Sequence, residues 1–373
     1  MKILELIEKI EDPRIEGKVK YSFGTIIFVT LCGILSGCES WLDIGDYCET
    51  KLEWLSKYVD LSNGIPSEST FRRIFTLLEP DCVEQLLRSH ATSIVSDSRI
   101  SDQIAIDGKA LCGSKRQGLQ CLHSISVWCR ENGIVLAEKQ VDSKSNEIAA
   151  IPILLRSLDL KGNTVSIDAA GCQKTVTKII TDKGGDYVLG LKKNQPKLYE
   201  SVQNYIKSIG ENNDNRLYDA FDKSHGRLVR RRYFGYDISS IAEIEGFAGA
   251  RSIIAVESIS SKDNDPERKI KAEWRYYLSS HAQDNKQLPD YVRNHWGIEN
   301  KLHWILDVHL KEDNDRKAER KSARSFANLK RIALNIVRAS PVEQIRKTKR
   351  NRSIKSKLKR CGWDDNYLLA LLA

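Results

Sequence analysis

Two aspartates each close a short apolar run. Asp107 ends Gln103-Ile-Ala-Ile-Asp107, and Asp168 ends Thr164-Val-Ser-Ile-Asp168. Strands of this kind in one α/β unit aim their terminal acids at a common rim. An aspartate after a strand is also an ordinary turn former or helix cap, so both readings stand for each acid taken alone. The neighbours, Gly108 and Ala169-Ala170-Gly171, leave room for a nucleic-acid backbone and equally suit tight turns. A third acid lies in His295-Trp296-Gly297-Ile298-Glu299-Asn300-Lys301-Leu302-His303-Trp304. On a continuous helix, His295, Glu299, His303 and Asp307 recur every four residues and share a face. Ile298, Leu302 and Ile305 form an apolar stripe opposite. A solvated polar face is the plain alternative. A zinc site is a further one, but metalloproteases space their ligands as H-E-x-x-H, unlike the H-x-x-x-E-x-x-x-H found here.

Phosphodiester hydrolysis and transesterification are the chemistry that such acids suit. Both need an activated water or 3′-hydroxyl and a stabilised leaving oxygen. Two Mg²⁺ (or Mn²⁺) ions roughly 3.5–4 Å apart serve both ends of the displacement. Hard cations prefer oxygen ligands and keep several waters, so Asp107, Asp168 and Glu299 suffice as metal ligands and no catalytic histidine is demanded.

The elements that must position these acids are legible in the periodicity. Residues 1 to about 90 read as helical, with Phe23 to Leu35 a buried core helix. Ser62-Asn63-Gly64-Ile65-Pro66 is a turn, after which Ser67 caps a helix bearing Arg72 and Arg73. These arginines suit a helix-turn-helix DNA reader; a plain helical hairpin fits the same pattern. From about residue 100 the texture becomes strand, hairpin, helix, strand, helix, strand, which is a mixed sheet with helices. His123 to Cys129 and Ile134 to Val141 read as strands meeting at Glu131-Asn132-Gly133. Asn146 to Leu158 and Cys172 to Lys183 read as helices, and Tyr187 to Leu191 as a strand. Lys192 to about Pro289 reads as a largely β insertion, with strands at Val229 to Tyr236, Ser252 to Glu257 and Trp274 to Ser279. The chain then turns helical again, Phe326, Leu329, Ile332 and Ile336 forming one stripe.

The 373 residues allow two or three cores. The net charge of +9 is uneven. Residues 316–360 hold 17 Lys and Arg against 2 acids, a local +15 that leaves −6 for the rest. A basic end on a mildly acidic body points to a polyanionic partner or to a solvated tail. Nine scattered cysteines with no C-x-x-C pair argue for a reducing compartment and against a disulfide framework or zinc ribbon. The run from Phe23 to Cys38 is too short for a comfortable membrane span. No signal peptide is recognisable, and a cytoplasmic, nucleoid-associated location is expected.

In order along the chain come Asp12-Pro13-Arg14, Trp41-Leu42-Asp43-Ile44, Pro66-Ser67-Glu68-Ser69-Thr70-Phe71, Ile106-Asp107-Gly108-Lys109 and Lys144-Ser145-Asn146-Glu147-Ile148. There follow Ile167-Asp168-Ala169, Leu191-Lys192-Lys193-Asn194-Gln195, His225-Gly226-Arg227 and His295-Trp296-Gly297-Ile298-Glu299-Asn300. Each block is unspecific alone; the ordered set, spanning nearly the whole chain, resembles the H-repeat-associated insertion-sequence transposases.

The resemblance implies a DDE transposase with an RNase H-like catalytic core in residues 100–340. A β-rich insertion would occupy about 192–289. An all-helical associated domain over 1–95 would precede the core, and a basic helical tail over 341–373 would follow. Asp107 matches the first-strand acid, Asp168 the acid after the fourth strand and Glu299 the helical acid, with gaps of 61 and 131 residues. It further implies metal-dependent strand cleavage and transfer on double-stranded DNA, at terminal inverted repeats and a target, usually by a homodimer. Lys193, Asn194, His225 and Arg227 would touch phosphate or terminal bases, beside His295. Trp296 would either stack on a displaced base or belong to the core. Arg331, Arg346, Lys347 and Arg350 would make backbone contacts that position without specifying.

Many relatives in the wider group carry Y-x-x-R-x-x-x-E-x-x-x-x-x-x-K around the glutamate; here those places hold Val292, His295, Glu299 and Leu306, with Arg293 or Lys301 as replacement charges. Two other functions fit the same residues. One is a catalytically silent DNA-binding remnant, and the other a structure-selective nuclease.

Overall fold

The computed structural model describes residues 2–10, 12, 14, 19–95, 103–115, 120–209, 215–224, 227–262, 272–317, 319–341 and 351–373. The chain opens with α1 (Lys2–Ile7), α2 (Phe23–Leu35), α3 (Trp41–Thr50), α4 (Leu52–Leu55), α5 (Glu68–Leu77) and α6 (Pro80–Val95). Next come β1 (Gln103–Leu111), β2 (Leu122–Cys129), β3 (Val135–Val141), α7 (Glu147–Arg156), β4 (Thr164–Ile167), α8 (Lys174–Asp182) and β5 (Asp186–Leu191). The stretch expected to be a β insertion holds α9 (Pro196–Ile209), then β6 (Arg216–Ser224), β7 (Arg227–Asp237), β8 (Ser252–Lys262) and β9 (Ala272–Ser279). Helices α10 (Leu288–His295), α11 (Trp304–His309), α12 (Arg320–Ala339), α13 (Ile354–Trp363) and α14 (Asp365–Leu372) follow.

These elements form two compact units that interleave along the chain. The first takes residues 1–100, 108–146 and 299–373, and the second 101–107 and 147–298.

The first unit is built on two apolar helices. Ser22 caps α2 by accepting from the Thr25 amide, and every residue of that helix except Gly24 is buried. Ser67 caps α5 as its sequence predicts, accepting from the Thr70 amide. Helix α12 packs against α2, α5, α6 and β3. Trp41 sits in an aromatic cluster with Phe71, Phe75 and Phe326, the Trp41–Phe75 ring centroids 4.5 Å apart. The hairpin β2–β3 turns at Gly133, whose φ of 67° is open to glycine at no steric cost. Asn335 docks this hairpin on α12 by bonding both the amide and the carbonyl of Val135 at 2.8 Å.

Charge is buried here too. Arg331 of α12 is fully buried and pairs with Glu138 of β3 and with Glu312. Lys109 pairs with Asp307, with Glu312 at 3.0 Å and with Asp313 at 3.2 Å. Arg331 is therefore no DNA contact, contrary to expectation. Its guanidinium neutralises two buried carboxylates, and exposing it would strand both. Arg346, Lys347 and Arg350 lie outside the described residues.

The second unit holds a mixed sheet. The start of β1 runs parallel to β4, and β4 parallel to β5; β9 then pairs antiparallel with β5, and β8, β7 and β6 continue antiparallel from it. The strands expected as an insertion thus extend the sheet that begins at β1. Strand β6 escapes the sequence reading because Arg-Leu-Tyr-Asp-Ala-Phe-Asp-Lys-Ser carries little apolar alternation, and Phe221 is 62% exposed. Val188, Tyr233, Ile254 and Val256 of the sheet pack with Leu288, Tyr291 and Val292 of α10. Among the described residues, no helix is long and apolar enough to cross a membrane.

Candidate active site

The register of β1 on β4 pairs Gln103 with Thr164 and ends with Ile106 on Ile167. Asp107 and Asp168 are the next residue of each strand. They therefore stand at equivalent positions on neighbouring strands, whose backbones lie about 4.8 Å apart. Asp107 is partly buried and Asp168 exposed. Strand β1 does not stop at its aspartate, as expected, but continues to Leu111.

Asp168 is also a cap. Its Oδ1 accepts from the Ala170 amide at 3.0 Å at the head of a 3₁₀ turn, Ala169–Gly171. The turn-former reading is realised in Asp168, and its carboxylate keeps a second oxygen. The turn is clamped from behind. Asn194 donates its amide to the Ala169 carbonyl at 2.5 Å, and Gln195 donates to the Cys172 carbonyl at 2.9 Å. Gly190 of β5 faces the same turn, and a Cβ there would stand 3.1 Å from the Ala169 nitrogen.

Beneath the two acids lies a buried polar staple that the sequence did not disclose. Gln103 donates to the Ser166 hydroxyl at 2.9 Å and to the Tyr291 carbonyl at 2.8 Å, tying β1, β4 and α10 together. His295, the last residue of α10, places Nδ1 3.2 Å from the same hydroxyl. Burial pushes its imidazole down to about 4, against the opposing pull of the Asp168 charge and the Ser166 bond. The ring is neutral at pH 7. The one sequence signal for this network is the polar alternation Gln103 and Ser166 inside otherwise apolar strands.

The row of four predicted from helical spacing does not form. Helix α10 ends at His295, and residues Glu299–His303 form a π turn before α11. A π turn bonds i to i+5, so residues four apart no longer return to one face. Glu299 is exposed and His303 buried, while Asp307 is taken by Lys109. Glu299 belongs to the first unit, and Asp107 and Asp168 to the second. Among the described residues, no three His, Cys, Asp or Glu side chains are grouped to hold a metal ion. The carboxylate pair of Asp107 and Asp168, all hard oxygen, fits a Mg²⁺-like ion in donor chemistry.

Two of the departures from the wider motif fall at buried positions. Val292 and Leu306 are buried, so the places of its tyrosine and lysine are core positions here. Arg293 lies over the Tyr218 ring, 5.6 Å from its centroid. Trp296 is 43% exposed, with the Arg275 guanidinium 5.0 Å from its ring centroid, and so is not the core residue that its type suggests. Lys193 is exposed. His225 lies outside the described residues, and of Arg227 only the backbone in β7 is described. Arg72 and Arg73 are exposed on α5, Arg72 paired with Glu68 one turn back.

Comparison with known proteins gives a consistent picture. Residues 97–336 match the family model described as a transposase DDE domain, and residues 4–91 match one described as DDE_Tnp_1-associated. The chain is 35% identical over 345 residues to "Putative transposase YncI" of Escherichia coli O157:H7, covering 90% of this chain and 87% of the relative. It is 33% identical to "H repeat-associated putative transposase YhhI" of Escherichia coli K12, covering 100% and 98%. A solved piggyBac transposase synaptic complex with hairpin DNA aligns over 100% of this chain and 79% of its own, with 11% identity and a TM-score of 0.40, too slight a likeness to carry weight.

Proposed function

The chain belongs to the DDE transposases of bacterial insertion sequences, and from that premise we propose that Asp107, Asp168 and Glu299 are the acids that cut and rejoin DNA at its terminal inverted repeats. The observation that carries this reading is the parallel register that sets Asp107 and Asp168 side by side on β1 and β4. Glu299 enters through its match to the family's helical acid. It is exposed on a π turn, an irregular helical feature found often at functional sites.

The division of labour follows from the chain's own residues. Asp107, Asp168 and Glu299 would hold two Mg²⁺ or Mn²⁺ ions, which when bound supply activation of the attacking oxygen and stabilisation of the leaving one. Asn194 and Gln195 hold the Asp168 turn by its backbone, leaving the outer carboxylate oxygen of Asp168 for ligation. His295, neutral and bonded to Ser166, braces the end of α10 beside Asp168 without adding charge. Trp296, exposed beside Arg275, offers a stacking face to an unpaired base. Lys193, His225 and Arg227 are assigned to DNA contacts near the acids, and Arg72 and Arg73 to end recognition by residues 1–95. The sheet is read as RNase H-like within a catalytic region of 100–340, including the insertion at about 192–289, with 341–373 as a basic tail. The active form is read as a homodimer on double-stranded DNA, associated with the nucleoid.

A supercoiled plasmid bearing the element's inverted repeats tests this. With Mg²⁺, the wild type should nick at the repeats, while Asp168→Ala binds and does not cut. Equal behaviour of the two would leave a DNA-binding remnant as the better description. Cleavage of branched DNA without end preference would favour a structure-selective nuclease.

A further inference from the structure

Within the first unit, a cleft of about 280 Å³ opens between the end of α2, the end of α11 and one face of α13. Its floor is apolar, from buried Ile34 and Leu358; exposed Val308, Lys355 and Lys359 and half-buried His309 and Lys311 line the rest. Among the described residues, no carboxylate lines it. Lys109 and Lys317 of this unit are paired with acids, whereas these three lysines converge on one cleft that no carboxylate lines.

The rim is built rather than incidental. Lys355 and Lys359 stand one turn apart on the exposed face of α13, and Trp363, 74% exposed, continues the same row a further turn on. Lys311 has a φ of 51°, the one positive value at a non-glycine position among the described residues. A side chain with a Cβ adopts that conformation only at a cost, which glycine would avoid. The buried Lys330 ammonium lies 3.4 Å from the Lys311 carbonyl and holds the turn in place. The turn is the left-handed ending of α11, closed by the Glu312 amide on the Leu306 carbonyl at 3.0 Å, and it fixes where the Lys311 side chain leaves the backbone. Burial and the neighbouring Lys355 and Lys311 charges keep the His309 imidazole below its usual range.

We propose that this cleft is a duplex-DNA backbone site, in which the three ammoniums neutralise phosphates and the apolar floor receives the sugar edge. The inference rests on the reading of the chain as a transposase acting on DNA. It locates a contact that the acids and the motif residues do not provide. Each neutralised phosphate contributes about 0.9 to the slope of log affinity against log salt, independent of base sequence.

The test uses the full chain and a random-sequence duplex of about 30 base pairs, with anisotropy read from about 50 to about 200 mM salt. The combined variant Lys311→Gly, Lys355→Gln, Lys359→Gln should lose about 2 to 3 of the slope and bind about 10-fold or more weakly at the upper salt. A comparison variant, Lys57→Gln, Lys207→Gln, Lys286→Gln, removes three exposed lysines elsewhere and should match the wild type. Lys311→Gly alone should lower the slope by about 1 while its melting temperature stays level or rises. A wild-type slope in the combined variant, or an equal loss in the comparison variant, overturns the proposal. So does a lower melting temperature with unchanged slope in Lys311→Gly. Failure of the wild type to bind any duplex would overturn the transposase reading as well; binding with no effect of the cleft variants sinks this inference alone.

Discussion

Asp168 caps a turn and is proposed as a metal ligand, and its two oxygens allow the two roles to be tested apart. One oxygen caps the Ala169–Gly171 turn through the Ala170 amide. Asparagine preserves that acceptor and removes the charge. Asp168→Asn should therefore melt within about 0.5 kcal/mol of wild type, since Asn and Asp cap equally well, whereas Asp168→Ala should cost about 1 kcal/mol. Both should abolish plasmid nicking, so a cleaving Asp168→Asn enzyme would contradict the ligand role. Elsewhere, His90 carries a pH dependence. Burial pushes its imidazole from 6.5 down to about 4, so the folded chain holds it neutral while the unfolded chain takes up a proton. Stability from this residue is complete above about pH 6.5 and is lost progressively as the pH falls towards 4. The loss is roughly 2 kcal/mol at about pH 5. His90→Leu should flatten that limb of a denaturation series between about pH 7 and 5; an unchanged slope would show that other groups cause it.

Helix α12 illustrates how an element can mislead when judged by its charges. Its sequence belongs to the basic stretch, yet Lys330 and Arg331 point inward, and Arg331 pairs with Glu138 of the hairpin and with Glu312. The guanidinium is a strut between α12, β3 and the segment after α11. Removing one partner of a buried pair costs about 3–5 kcal/mol, because the remaining charge stays desolvated. Arg331→Met should thus destabilise the chain by that amount in urea titration. Replacing Glu138 by Gln in the same background should recover part of it. A loss under about 1 kcal/mol would mean that water reaches the carboxylates. Periodicity made α12 legible as a helix and predicted its apolar face of Phe326, Leu329, Ile332 and Ile336, all buried. Which cations pointed inward was not legible, since that depends on acids outside the helix, Glu312 and Asp315 before it and Glu138 far back in β3.

Across the whole molecule, DNA binding and the proposed metal-dependent cutting would depend on different groups and can be tested separately. Residues 316–360 carry a local +15, but Lys330, Arg331 and Lys357 are buried, so fewer cations than that count implies can meet DNA. Binding should still weaken on the order of 10³-fold between about 50 and about 200 mM salt, if some six phosphates are contacted. Chelation by EDTA should abolish cleavage and leave duplex affinity within a few-fold, and added Mg²⁺ or Mn²⁺ should restore cleavage. Cleavage that persists in EDTA would remove the metal from the mechanism. The nine cysteines are all free, and several are buried.

Sequence alone determined what depends on near neighbours: the Ser67 cap, the Gly133 turn, the buried run of α2, the two strands with an acid after each, and the ordered motifs that identify the family. Those signals survive because a helix period, a cap or a turn is set by residues within a few positions of one another. Only tertiary structure decided the register that brings Asp107 beside Asp168, the Asn194 clamp behind the turn, and the π turn that breaks the row from His295 to Asp307. It alone placed Arg331 inside and Trp296 outside. Each of these is a balance of burial and pairing between segments distant in the chain, and local pattern carries no term for it.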